Sequence, residues 1–269
     1  MKKAVFVTGG STGAGLAVAS RFAREGYDVF VTSRKASLAE AAAKCIAEEF
    51  GVFARGFGLD IGDEQRVKDI FAEIDGMDRL VETVVLNAAD AGTGEDPAKG
   101  PEFFEQPVED FRQVLETNLV WNFTIIRQAA LRMRQQRKGA VVFISSNAAY
   151  RAIPNQAAFC ASKGGMLSLS KALAVDLGPY GIRSNVVLPG TIKSKHWINM
   201  GSKQVVTGEM TPLGDISEFD DVANAVWFLG SDESRNVTGA EIVVDGGMSS
   251  QLFPTALTEL KKGEPGNWD

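Results

Sequence analysis

Thr8-Gly9-Gly10-Ser11-Thr12-Gly13-Ala14-Gly15 follows the apolar run Ala4-Val5-Phe6-Val7 and opens into a helical segment from Leu16 to Glu25. Strand, glycine loop and helix in that order form the context that a dinucleotide requires. Glycines let the backbone approach a pyrophosphate, and the helix N-terminus presents unpaired N–H groups at the positive end of its dipole. Gly9, Ser11, Thr12, Gly13 and Gly15 are therefore candidate phosphate-contacting residues. Read otherwise, the cluster is only a turn.

Outward from this loop, short β-branched or aromatic runs recur: Ala4 to Val7, Val29 to Thr32, Val52 to Phe57, Thr83 to Leu86, Val141 to Ile144, Asn185 to Leu188 and Ile242 to Val244. Apart from the C-terminal pair, each is followed by a segment of helical periodicity. Continuously apolar strands alternating with helices predict an α/β fold, a doubly wound parallel sheet of about seven strands with helices on both faces. Residues 1–250 read as a single Rossmann-type domain for dinucleotide binding and catalysis, and 251–269 as a C-terminal tail.

Phe111, Leu115, Leu119, Phe123, Ile126, Ala130 and Met133 recur at three- and four-residue intervals, which predicts one long helix over Asp110 to Gln136 facing the core. A second helix is predicted from about Gln156 to Leu177, stopped by Gly178-Pro179. Asp90 to Pro107, with Gly92, Gly94, Pro97, Gly100 and Pro101, reads as a long loop.

The chain has 269 residues, 45% of them hydrophobic, which is enough to bury a large core. Its net charge is −6, and the longest basic cluster, Arg132 to Lys138, falls where a helix should end, so no nucleic-acid partner is expected. No apolar run approaches the roughly 20 residues of a membrane helix. One histidine and two cysteines leave no metal-ligand spacing and no disulfide framework, and a reducing cytoplasm is the expected location.

The spacing T-G-x-x-x-G-x-G, in place of G-x-G-x-x-G, resembles that of the short-chain dehydrogenase/reductase family. The resemblance extends to about residue 249. Asp60 matches the family's adenine-contacting aspartate, with Ile61 beside it. Asn87-Ala88-Ala89 matches a variant of its N-N-A-G, Asn118 its helix asparagine, Ser146 its catalytic serine and Lys163 its lysine. Pro189-Gly190, with Ile192 following, matches its nicotinamide-side turn, and Val237-Thr238-Gly239 with Val244-Asp245-Gly246-Gly247 its C-terminal signature. The resemblance implies an oxidoreductase interconverting a ketone and a secondary alcohol, and assembly as a homotetramer through the two helices described above.

Cofactor choice is legible after the second strand. An NAD enzyme is expected to place an acidic residue near Ser33, whereas Ser33-Arg34 offers a hydroxyl and a guanidinium suited to a 2′-phosphate, so NADP(H) is favoured over NAD(H). Read otherwise, Arg34 is a solvated surface cation.

In that family a tyrosine supplies the proton, a lysine four residues later lowers its pKa and holds the ribose, and a serine hydrogen-bonds the substrate oxygen. Here Phe159 stands in the tyrosine position, thirteen residues after Ser146 and four before Lys163. A phenyl ring can neither donate nor accept a proton. Three explanations stand open: a deliberate Tyr→Phe variant, a natural relative with another proton donor, or a non-catalytic NADP-binding sensor or scaffold. Tyr150 and His196 are the candidate alternative donors, each read otherwise as a pocket wall or lid residue. Tyr150, Trp197, Ile198, Met200 and Phe253 imply an apolar wall and a substrate with a hydrophobic or ring portion.

Overall fold

The computed structural model describes residues 2–60, 62–92, 101–199, 208 and 210–252, with residues 195 and 196 described by their backbone alone. Seven strands, β1 (Lys2–Val7), β2 (Asp28–Ser33), β3 (Ala54–Gly58), β4 (Arg79–Leu86), β5 (Gly139–Ile144), β6 (Ile182–Pro189) and β7 (Glu241–Val244), form a parallel sheet in the order β3-β2-β1-β4-β5-β6-β7. The order reverses between β1 and β4, which opens a crevice beyond the carboxyl ends of those strands.

Alternate strand residues feed two cores, because successive side chains point to opposite faces. Val5, Val7, Val29, Val31 and Val85 pack under α1 (Gly13–Arg24), α2 (Ala36–Phe50) and α8 (Phe219–Gly230), with Phe22, Ile46 and Val226 filling the layer. Phe6, Phe30, Val84, Leu86 and Phe143 pack under α3 (Glu64–Asp75), α5 (Trp121–Gln136) and α6 (Ala157–Leu177), against Phe71, Ile125 and Met166.

Strands β4 and β6 begin earlier than the apolar runs predict, at Arg79 and Ile182. Charged residues inside them hid their starts. Glu82 is buried yet bonded by Lys138 at 2.8 Å, Lys3 at 3.2 Å and the Tyr27 hydroxyl at 3.1 Å. The Arg183 guanidinium is solvated by carbonyls, donating to Leu229 O at 2.6 Å and Ser231 O at 2.9 Å. β3 starts at Ala54, two residues later than expected, and runs through Gly58.

The predicted single helix over Asp110 to Gln136 is two helices, α4 (Val108–Leu115) and α5, joined by a π turn over Glu116–Val120. The extra residue in that turn rotates everything after it. The buried stripe therefore runs through Val114, Asn118, Asn122, Ile125, Ile126, Ala129 and Met133, while Phe111 and Phe123 are exposed. Periodicity found the helix but misplaced its inner face.

The cations of the Arg132 to Lys138 cluster are engaged within the chain. Arg132 binds Asp75 at 2.6 and 2.7 Å, Arg134 lies 5.2 Å from the Tyr180 ring centroid, and Lys138 binds Glu82 and Asp232. Among the described residues no helix is long and apolar enough to cross a membrane. Residues 93–100 of the long loop, Ile61, Met200, and the tail from Phe253 onward lie outside the described residues.

Candidate active site

The crevice between β1 and β4 is closed at its base by hydrogen bonds that the glycine loop requires. Thr8 Oγ1 accepts from the amides of Asn87 at 2.9 Å and Ala88 at 3.0 Å, and Asn87 Nδ2 donates to the carbonyls of Thr8 and Gly9 at 3.1 and 3.0 Å. Gly9 has φ +62°, a left-handed conformation that favours glycine. A Cβ at Gly15 would lie 2.3 Å from Gly9 O and 2.5 Å from Asn87 Nδ2, so α1 can approach this closely only without a side chain there.

Thr12 precedes α1 in extended conformation and its side chain makes no capping bond, so the first amides of the helix keep their hydrogens for a ligand. The first turn of α1 carries no acidic residue. Ser33 ends β2, and Arg34 follows exposed, with no ion-pair partner among the described residues. Asp60 lies two residues past β3, where Leu59 N donates to Ser33 O at 2.9 Å and ties the two strand ends together.

At the other end of the crevice, Lys163 and Phe159 lie on one face of α6 because residues four apart share a helix face. The Lys163 ammonium is buried, donates to Ile144 O at 2.9 Å and lies 5.5 Å from the Phe159 ring centroid. Burial away from water lowers its pKa from 10.5 to about 8. Ser145 Oγ donates to Lys163 O at 2.9 Å, which fixes α6 against the end of β5, and Ser146 follows with its Oγ accepting from Ala148 N at 3.1 Å. Ser146 and Phe159 are both half-buried. Phe159, with Gly92, Asp110, Val114 and Gln156, lines a cavity of about 30 Å³ between the long loop and the start of α6.

Asn118 sits in the π turn and is fully buried. Its carboxamide clasps the backbone of Asp90 from both sides, at 2.8 Å each way, and donates to Ser162 Oγ at 2.9 Å. Ser162 Oγ in turn donates to Phe159 O at 2.8 Å. Asn118 thus joins the loop after β4 to the turn of α6 that carries Phe159 and Lys163. Its own carbonyl accepts from Asn122 Nδ2 at 2.8 Å.

Pro189-Gly190 ends β6 against Asp245: a Cβ at Gly190 would lie 2.6 Å from Asp245 Cβ, and Gly190 N donates to Val244 O at 2.9 Å. Ile192 bridges to Ser217 and packs on the core. Tyr150 turns its hydroxyl to the Glu241 carboxylate, which also binds Lys171 at 2.6 Å. Trp197 is on the short helix α7 (Lys195–Ile198), its amide donating to Ser194 Oγ at 3.2 Å. The His196 side chain lies outside the described residues.

Sequence reading missed Asp90, Asn122 and Ser162. Asp90 follows Asn87-Ala88-Ala89 where the family pattern has glycine, a departure visible in the sequence; the other two carried no signal apart from the fold.

The family model described as Enoyl-(Acyl carrier protein) reductase matches residues 9–249. The chain belongs to the short-chain dehydrogenase/reductase family. This short-chain dehydrogenase/reductase is 36% identical to L-rhamnose 1-dehydrogenase (NAD(P)(+)) of Azotobacter vinelandii, over 93% of this chain and 98% of the relative. It is also 36% identical to NADP-dependent (R)-specific alcohol dehydrogenase of Lentilactobacillus kefiri, over 93% and 97%. Among solved structures, a tyrosine-to-phenylalanine variant of ElxO with NADPH bound superposes with a TM-score of 0.84 at 28% identity, over 93% of this chain and 100% of that one. The chain is an NAD(P)-dependent oxidoreductase of this family.

The residues present fit a dinucleotide. The Gly9–Gly15 cradle would be filled by a single Cβ, the first amides of α1 are uncapped, and the Lys163 ammonium meets one oxygen and the Met166 sulfur among the described residues.

Proposed function

We propose that the chain, through residues 1–250 acting as one unit, is an NADP(H)-dependent oxidoreductase of ketones and secondary alcohols whose proton-transfer step Phe159 impairs or alters. When bound, the nicotinamide supplies or accepts the hydride. Gly9, Ser11, Thr12, Gly13 and Gly15 hold the phosphates, Ser33 and Arg34 the 2′-phosphate, and Asp60 and Ile61 the adenine. Asn87, Ala88, Lys163, Pro189, Gly190 and Ile192 border the nicotinamide ribose and ring. Ser146 donates to the substrate oxygen, Lys163 holds the ribose, Asn118 positions the turn that carries Lys163, and Tyr150, His196 and Trp197 wall the substrate.

The observation that carries this reading is the Lys163 ammonium held beside Phe159 at the end of β5, with a phenyl ring where the family has its phenol. The NADP-dependent relative and the NADPH-bound tyrosine-to-phenylalanine variant support it. The test is Phe159→Tyr, assayed for NADPH oxidation with a panel of ketones that includes ring and aliphatic members. A gain of about 10²–10⁴-fold is expected. No gain with any ketone would sink the reading.

Phe159 also favours a second reading, a non-catalytic NADP-binding sensor or scaffold. It predicts tight NADPH binding, no turnover with either residue at 159, and a partner whose affinity depends on NADPH.

For assembly, a homotetramer is the proposal. Val120 at the end of the π turn and Phe123 and Leu131 on α5 are exposed, and the latter two line a groove with Ile126, Ala130, Leu173 and Leu177 between α5 and α6. The proposed location is cytoplasmic.

A further inference from the structure

Trp121 opens α5 directly after the π turn, and its indole lies over the turn that follows β3. A Cβ built on Gly62 would be 3.4 Å from Trp121 Cε2, 3.5 Å from Nε1 and 3.6 Å from Asp60 Oδ1. The indole and the Asp60 carboxylate therefore flank one point on the surface. Asp60 Oδ1 accepts from Gly62 N at 3.2 Å, which stiffens the turn, and Asp60 Oδ2 and the indole N–H have no partner among the described residues.

The inner part of Trp121 packs on the core, so the ring is held in place, yet the residue is only half-buried. An anchored indole with an open part, beside a carboxylate with a free oxygen, offers the two things a purine base needs. The π-face is a stacking platform, and the carboxylate is an acceptor for an exocyclic amine. The strand ends set the direction: Ser33 pairs with Gly58, so the turn at Asp60 is the neighbour of Ser33-Arg34.

We propose that Trp121 is the aromatic wall for the adenine ring of the dinucleotide, with Asp60 as its polar partner. This rests on the dinucleotide reading above and adds a binding residue to it.

The test titrates NADPH, NADH and nicotinamide mononucleotide into the full chain and into Trp121→Phe and Trp121→Ala, by calorimetry and by intrinsic fluorescence. In the unaltered chain the dinucleotides should quench part of the tryptophan emission, and Trp121→Phe should remove most of that quench while keeping affinity. Trp121→Ala should weaken the better dinucleotide by about fivefold or more, the scale of one base–aromatic stack, and leave the mononucleotide unchanged. Unchanged dinucleotide affinity in Trp121→Ala overturns the assignment. Equal loss for the dinucleotide and the mononucleotide also overturns it, since Trp121 would then act on the fold. If neither dinucleotide binds the unaltered chain, the dinucleotide reading itself fails.

Discussion

The Lys163 ammonium lies 5.5 Å from the centroid of the Phe159 ring, one turn along the same face of α6. The ring face attracts a cation and the Ile144 carbonyl accepts one of its hydrogens, but neither can share its proton. Lys163 thus keeps a buried charge without the phenol that would make use of it.

That charge has a consequence for stability. Folding lowers the Lys163 pKa from 10.5 to about 8, so between those pH values the unfolded chain holds more protons than the folded one. Stability from this group therefore rises as pH climbs from about 8 toward 10.5, and below 8 the cost of burial is fully present, at most about 3 kcal/mol. Lys163→Met should raise the Tm of the ligand-free protein at pH 7 and flatten the rise at alkaline pH. A lower Tm, or an unchanged pH slope, contradicts this.

Gly15 has no room for a side chain, since its Cβ would meet Gly9 O at 2.3 Å. Gly15→Ala should lower stability by about 1–3 kcal/mol through overpacking. It should also abolish dinucleotide binding, because the loop must move away from α1. Thermal unfolding and NADPH calorimetry check both effects, and a variant that binds NADPH normally would refute the cradle.

Arg34 stands exposed and unpaired among the described residues. If it meets a 2′-phosphate, Arg34→Ala should raise the NADPH Kd about tenfold or more and leave NADH unchanged. Equal effects on both cofactors would remove Arg34 from the choice between them.

The exposed apolar stripe on α5 predicts an assembly that charge would break. Phe123→Glu with Leu131→Glu should shift the sedimentation coefficient from tetramer to a smaller species while the circular dichroism spectrum is retained. A tetramer that persists with both changes places the interface elsewhere.

The sheet was legible in the sequence because its strands are covered on both faces and read as unbroken apolar runs. Starts were lost where a charged residue interrupts such a run, as at Glu82 in β4 and Arg183 in β6, since the partners that hold them are distant in sequence. That Lys163 lies beside the Phe159 ring followed from their spacing of four on one helix, and that Ser146 lies past the end of β5 from its place after the apolar run. The Asn118 clasp on Asp90 did not, because it depends on an irregular helix that no local pattern announces. Trp121 likewise reads as one more apolar helix residue until the turn at Gly62 is brought beneath it.

The π turn over Glu116–Val120 also sets how this segment can vary in length. Taking one residue out together with the irregularity leaves every later side chain on its bearing, because the lost residue and the regained regular winding cancel. Straightening the turn at unchanged length would instead swing Ile125, Ile126 and Met133 out of the interior by roughly a quarter of a revolution, about 100°. A one-residue deletion here therefore spares the downstream core and costs the widened turn that holds Asn118 against Asp90.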